Sequence, residues 1–201
     1  MESILIYITL ILYLLSLLVY WIYFFKKIPL IGFNALIILS LGCIIHLCSL
    51  ILRSSTIHYL PLTNGYETLS FLSFCVVLML IIIEIRYKII IVGSFVLPFV
   101  LLLFVLAISM SKDIEPIQMI FRNKWFNVHV PFAFFGYANF VLSFGISIVY
   151  LIQEIQLKSH NIGKVYHALP SLELLDNLNY KLLGIGLISL SIAIVTGSVW
   201  E

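Results

Sequence analysis

Long runs without charge constrain this chain more than any other feature. No Asp, Glu, Lys or Arg occurs between Ile4 and Phe25, between Pro29 and Leu52, or between Ile89 and Met110. A helix needs about 20 apolar residues to cross the hydrocarbon core of a bilayer. Inside lipid, every backbone N–H and C=O must be satisfied within its own segment, so such runs are helices. Transmembrane strands show short alternating segments, and none is visible. Composition supports the same reading. The chain has 201 residues, of which 63% are hydrophobic and 10% charged, whereas an ordinary soluble domain carries about 25% charged residues. A soluble fold of this size lacks the polar side chains to face water on all sides. The fold class is therefore all-α, a polytopic transmembrane helical bundle forming one membrane domain over residues 1–201.

Six spans are expected, roughly at 3–25, 29–52, 67–85, 89–110, 130–153 and 182–200. The first is too long for the apolar region of a signal peptide. Lys26 and Lys27 follow it rather than a small-residue cleavage site, so it reads as a retained span. Pro98 falls inside the fourth span, where a kink is tolerated if neighbours satisfy the freed carbonyl. Ser171 is a candidate N-cap for a short interfacial helix through Leu172, Leu175 and Leu178. Lys and Arg set the orientation. One side collects Lys26, Lys27, Arg86, Lys88, Lys158, Lys164 and Lys181, and the other Arg53, Lys112, Arg122 and Lys124. The richer side should be cytoplasmic, which places segments 53–66 and 111–129 and the end of the chain outside. The net charge of +2 is too small to suggest a nucleic-acid partner; the lipid bilayer is the partner that composition requires. Cys43, Cys48 and Cys75 have neither CxxC nor metal-type spacing and read as small apolar side chains.

Five histidines are the candidates for chemistry. His160 and His167 lie in the polar inner loop and read as solvated, and His58 is a lone loop histidine. His46 stands near the middle of the second span. An ionisable residue at that depth is a functional candidate, or else a neutral imidazole bonded to a neighbouring helix. His129 stands at the outer mouth of the fifth span, in Trp125-Phe-Asn-Val-His129-Val-Pro131. Pro131 suits a first helical turn, with His129 just before it. Such an imidazole can ligate haem iron or another metal. Trp125, Phe126 and Phe132 can pack on a flat apolar ligand, or form an interfacial aromatic belt. Glu67 follows Asn64-Gly65-Tyr66 at the start of the third span, where the helix dipole favours a carboxylate. No serine–histidine–acid set, phosphate loop or paired-carboxylate pattern is present.

Three stretches together resemble one family. The first runs Pro61-Leu-Thr-Asn-Gly-Tyr66-Glu67-Thr-Leu-Ser-Phe-Leu-Ser-Phe74. The second is His129 followed by Phe135-Gly136-Tyr137-Ala138. The third is Leu175-Asp176-Asn177-Leu178-Asn179-Tyr180-Lys181, then Gly184, Gly186, Gly197, Val199 and Trp200. In this order they resemble the cytochrome c assembly proteins of the CcsA/ResC type, over roughly residues 35–201. The resemblance implies a System II haem-handling membrane protein, in a bacterial cytoplasmic membrane or a thylakoid membrane. It implies b-type haem in transit as the cofactor. The implied partners are a CcsB/ResB-type membrane protein, apocytochrome c and thiol-reducing thioredoxin-like proteins.

Residue by residue, His129 matches the first external histidine of that family and so implies a haem-iron axial ligand. Trp200 matches the tryptophan that opens the approach to the tryptophan-rich WWD segment, and Trp125 is a further haem-contact candidate. Tyr66 and Glu67 match an N-x-Y-E element without an assigned chemical role. The chain stops at Trp200-Glu201, where the tryptophan-rich segment would begin. It is expected to correspond to the N-terminal portion of such a protein and not to attach haem by itself. Two other readings stay open: a non-catalytic haem-binding or regulatory protein of the same superfamily, and an unrelated multipass transporter or structural subunit.

Overall fold

The computed structural model describes residues 2–57, 60–113, 125–159, 166 and 169–200, apart from the side chains of Asn127 and Trp200. His58, Arg122, Lys124, His160, Lys164, His167 and Glu201 lie outside the described residues. Six helices carry the fold: α1 Glu2–Lys26, α2 Pro29–Ile57, α3 Gly65–Tyr87, α4 Gly93–Ser109, α5 Phe126–Lys158 and α6 Leu172–Trp200. A 3₁₀ turn, Ile90–Val92, leads into α4. All six helices are long and apolar enough to cross a membrane, and no strand occurs among the described residues. The all-α bundle expected from the uncharged runs is what forms.

Local chemistry sets the ends. Glu2 opens α1 and Lys26 closes it, each favourable to the helix dipole at its own terminus. Lys27 and Lys88 take left-handed φ values of 54° and 56°, the geometry that reverses the chain after a helix. Pro29 begins α2, where its missing N–H costs nothing. Asn64 caps α3 by accepting from the Glu67 N–H at 2.9 Å. In return, Glu67 Oε2 accepts from the Thr63 N–H and from Thr63 Oγ1, each at 2.9 Å. Asn64→Ala should lower stability by about 1 kcal/mol, read as a shift of the thermal midpoint in detergent.

α4 lies at the centre, packed against α1, α3 and α5. Its Val96, Leu97, Val100 and Phe104 are fully buried and meet Tyr13 and Tyr20 of α1, Leu80 of α3, and Leu142 and Ile146 of α5 in one apolar core. Pro98 stands inside α4 and cannot donate to the carbonyl of Ser94. The indole N–H of Trp21 donates to that carbonyl instead, at 3.2 Å. A side chain of α1 thus supplies the satisfaction that a membrane-embedded proline demands.

α6 packs chiefly on α5. Gly136 receives Leu190, and Gly186 receives Phe140, so a large side chain from each helix fills the space left by a glycine of the other. Close approach through small residues is how helices associate where lipid removes the hydrophobic drive. Lower down, Ser143 Oγ donates to Asn179 Oδ1 at 2.8 Å, and Asn179 Nδ2 donates to Ser147 Oγ at 2.7 Å.

Three boundaries differ from the expectation. α2 runs on to Ile57, carrying Arg53 inside a helix, because that guanidinium has buried partners. α5 starts at Phe126, so Pro131 lies inside it rather than in its first turn, and His129 is already helical. The short interfacial helix is the first part of α6. Ser171 does cap it, accepting from the Leu174 N–H at 3.3 Å. The helix then continues unbroken because Leu175, Leu178 and Leu182 are buried, forming one stripe against the bundle.

Candidate functional site

His129, Tyr66 and Glu67 gather at one end of the bundle, with Trp200 closing α6 at the same end. His129 sits in the first turns of α5. Its Nδ1 lies 2.7 Å from the carbonyl oxygen of Ala193 on α6. A carbonyl only accepts, so the ring donates from Nδ1. The ring also stands over Gly197, where a Cβ would come within 3.0 Å of Nδ1. The ring is therefore held by α6 and not only by its own helix.

Around this mouth, Leu62, Phe126, Val130 and Phe134 form a small buried cluster against Phe71, Leu72 and Cys75. Phe71 and Phe134 meet edge to face with centroids 5.1 Å apart. This packing ties the start of α5 to the Pro61–Phe74 stretch. Trp125 precedes α5 and is 45% exposed, and Phe132 is 37% exposed.

Tyr66 and Glu67 turn toward α1 and α2 instead. Glu67 is 1% exposed and accepts from Arg53 Nε at 2.9 Å. Arg53 also donates from Nη2 to the Lys112 carbonyl at 2.9 Å and lies 3.6 Å from the Glu2 carboxylate. Tyr66 donates to Glu2 at 2.9 Å, with the cations of Arg53 and Lys112 over its ring at 5.6 and 5.3 Å. One buried arginine thus joins α1, α2, α3 and the segment after α4. The N-x-Y-E element supplies two of its partners, which gives that element a structural task at the site's base.

His46 is apart from this end and fully buried. Its Nδ1 is 3.1 Å from the Tyr13 hydroxyl and its Nε2 3.0 Å from Ser70 Oγ. Phe104 and Phe74 close in on the ring at 4.7 and 5.7 Å between centroids. Both ring nitrogens are engaged by hydroxyls of neighbouring helices.

Two buried acids escape the sequence reasoning. Glu67 is read there from the helix dipole and the N-x-Y-E element, neither of which names Arg53 as its partner. Glu84, 1% exposed in α3, accepts from the Tyr20 hydroxyl and from the Gly93 N–H and joins α1, α3 and α4 at the opposite end. A carboxylate inside an apolar run is itself a signal, and Glu84 carried it.

Among the described residues, no group of three or more His, Cys, Asp or Glu is arranged to hold a metal ion. A single oriented imidazole suits a metal that brings its own equatorial ligands, as haem iron does. The residues at this mouth fit such a group on one face: His129 for the iron, Trp125 and Phe132 for the macrocycle.

Comparison with known proteins bears on this end directly. A family described as cytochrome C assembly protein matches residues 62–201. The cytochrome c biogenesis protein CcsA of Guillardia theta is 29% identical over 210 residues, covering 93% of this chain and 69% of its own length. CcsA of Mesostigma viride is 29% identical over 168 residues, covering 71% of this chain and 55% of its own. Protein HemX of Brevibacillus brevis is 31% identical over 145 residues, at 71% and 53%. The chain spans about half to two thirds of the length of these curated relatives. With six helices able to span a bilayer and these relatives, the chain is an integral multi-pass membrane protein. The match takes in Tyr66, Glu67, His129 and Trp200 and covers well over half the residues, so this chain belongs to the cytochrome C assembly protein family.

Proposed function

We propose that this chain is a haem-handling component of c-type cytochrome biogenesis, with His129 as one axial ligand to haem iron at the outer membrane face. The observation that carries the reading is the bond from His129 Nδ1 to the Ala193 carbonyl. It ties the ring to α6 through Nδ1, which supports Nε2 as the nitrogen that would meet the iron. Metal-binding histidines characteristically donate their other ring N–H to such an acceptor, which orients the ligand and raises its basicity. Trp125 and Phe132 provide apolar area for a planar cargo, and Trp200, at the end of α6, belongs to the approach to it.

Taking the lysine-rich side as cytoplasmic puts Glu2, Arg53, Tyr66, Glu67 and His129 outside, where an apocytochrome would be met. When bound, haem supplies the iron and the vinyl groups that become thioethers. The chain's own contribution is to bind, orient and shield it. A CcsB/ResB-type membrane protein, apocytochrome c and thiol-reducing thioredoxin-like proteins are the partners this role requires.

The test is the haem that co-purifies with the protein. His129→Ala should lower the haem-to-protein ratio at least about tenfold, since the axial bond is the main specific contact offered to the iron. Unchanged haem content in His129→Ala would overturn the ligand assignment.

A further inference from the structure

Ala193 and Gly197 lie one helical turn apart on α6, and both act on the same histidine. In a helix each Cα–Cβ bond tilts toward the N-terminus, so a side chain covers the turn before its own Cα. A side chain at 197 would therefore lean over the carbonyl of residue 193. Gly197 has none, and the His129 ring takes that space. A Cβ at 197 would fall 3.0 Å from His129 Nδ1 and 3.1 Å from Cε1. Those distances are tight enough that the ring would have to give by a few tenths of an ångström. Its bond to the Ala193 carbonyl, at 2.7 Å, is made in the space that the bare position 197 leaves.

The neighbouring hydroxyl does not compete strongly for this acceptor. Thr196 Oγ1 donates to the Ile192 carbonyl at 2.8 Å and only more distantly, at 3.1 Å, to that of Ala193. The short contact to Ala193 belongs to the imidazole. The arrangement also spans a long stretch of sequence, since His129 belongs to α5 while its anchor lies near the end of α6. Trp200 is three residues beyond Gly197. The orientation of the ring is thereby coupled to the placement of α6.

We infer that Gly197 and the Ala193 carbonyl are the positioning elements for His129. Together they hold the ring plane and the Nδ1–H tautomer, so that coordination to iron would fall to Nε2. This rests on the reading of His129 as a haem ligand, but its first test does not. The tautomer can be read without haem, by nitrogen chemical shifts of the whole chain labelled with ¹⁵N-histidine in lipid bilayers. His129→Gln assigns the signal.

The wild-type protein should show His129 protonated at Nδ1. A dominant Nε2–H tautomer there would overturn the inference before any variant is made. Gly197→Ala should shift the ring toward a mixture of tautomers. It should also weaken the binding of added ferric haem by about 10- to 100-fold, the usual effect of disturbing a ligand's outer partner, with a changed absorption spectrum of the bound form. Thr196→Val, which leaves the glycine and the carbonyl in place, should keep both the tautomer and the haem affinity. If Gly197→Ala keeps the wild-type tautomer and affinity, the positioning role falls while His129 can still be the ligand. If His129→Ala binds haem as the wild type does, the ligand reading falls, and the nitrogen shifts still decide whether α6 orients the ring.

Discussion

Arg53→Ala is expected to lower the stability of the folded chain by about 3–5 kcal/mol, because it leaves a buried carboxylate without its partner. The Arg53 and Glu67 side chains are 7% and 1% exposed, with Nε and Oε1 2.9 Å apart. Glu67 would keep its bonds from Thr63, but those neutral donors do not balance a charge taken out of water. The loss should appear as a lower midpoint in thermal or denaturant unfolding in detergent, and added salt should mask little of it, since screening acts weakly on buried pairs. The double variant Arg53→Met with Glu67→Gln removes both charges and should recover most of the loss. A single variant that costs under about 1 kcal/mol would place the pair in the class of solvated surface bridges. The cluster would then not be the clamp described here.

His46→Ala should cost a similar amount, about 3–5 kcal/mol, and leave haem content unchanged. Removing the ring opens a cavity among Tyr13, Phe74 and Phe104, and a cavity is penalised beyond the lost transfer energy. It also strips a partner from the Tyr13 hydroxyl, and a buried hydroxyl left unpaired costs roughly 1–3 kcal/mol. Ser70 has the easier escape of bonding to its own helix. His46→Gln keeps a polar group in the space and should lose less. The two readings of His46 separate on the second measurement. A haem-to-protein ratio that falls in the stable glutamine variant would put His46 on the haem's route. An unchanged ratio leaves it as a bond between helices.

The candidate residues for a site could be named from the sequence alone. His129, Tyr66, Glu67 and Trp200 stand in stretches whose order and spacing resemble one family, and the family match covers all of them. Their division of labour could not be read that way. Tyr66 and Glu67 lie one and two residues from Gly65, yet their partners Glu2, Arg53 and Lys112 come from three other regions of the chain. Glu67 lies in the first turn of α3, where Asn64 is the cap and the Glu67 carboxylate accepts from Thr63. Its charge partner is an arginine that span length alone would have left in a loop.

What the sequence by itself determined is the set of six spans and the helical class, because both follow from single-segment physics. A bilayer core demands about 20 apolar residues per crossing, and its dryness demands helices. Either requirement can be checked one run at a time. Only the tertiary structure decided which faces meet. Lipid is as apolar as the packed interior, so apolar patterning does not distinguish the buried face of a membrane helix from the lipid-facing one. The choice falls to a few polar groups and gaps that find partners far along the chain. The Trp21 indole meets the carbonyl that Pro98 frees. The Ala193 carbonyl, bared by Gly197, meets the ring of His129.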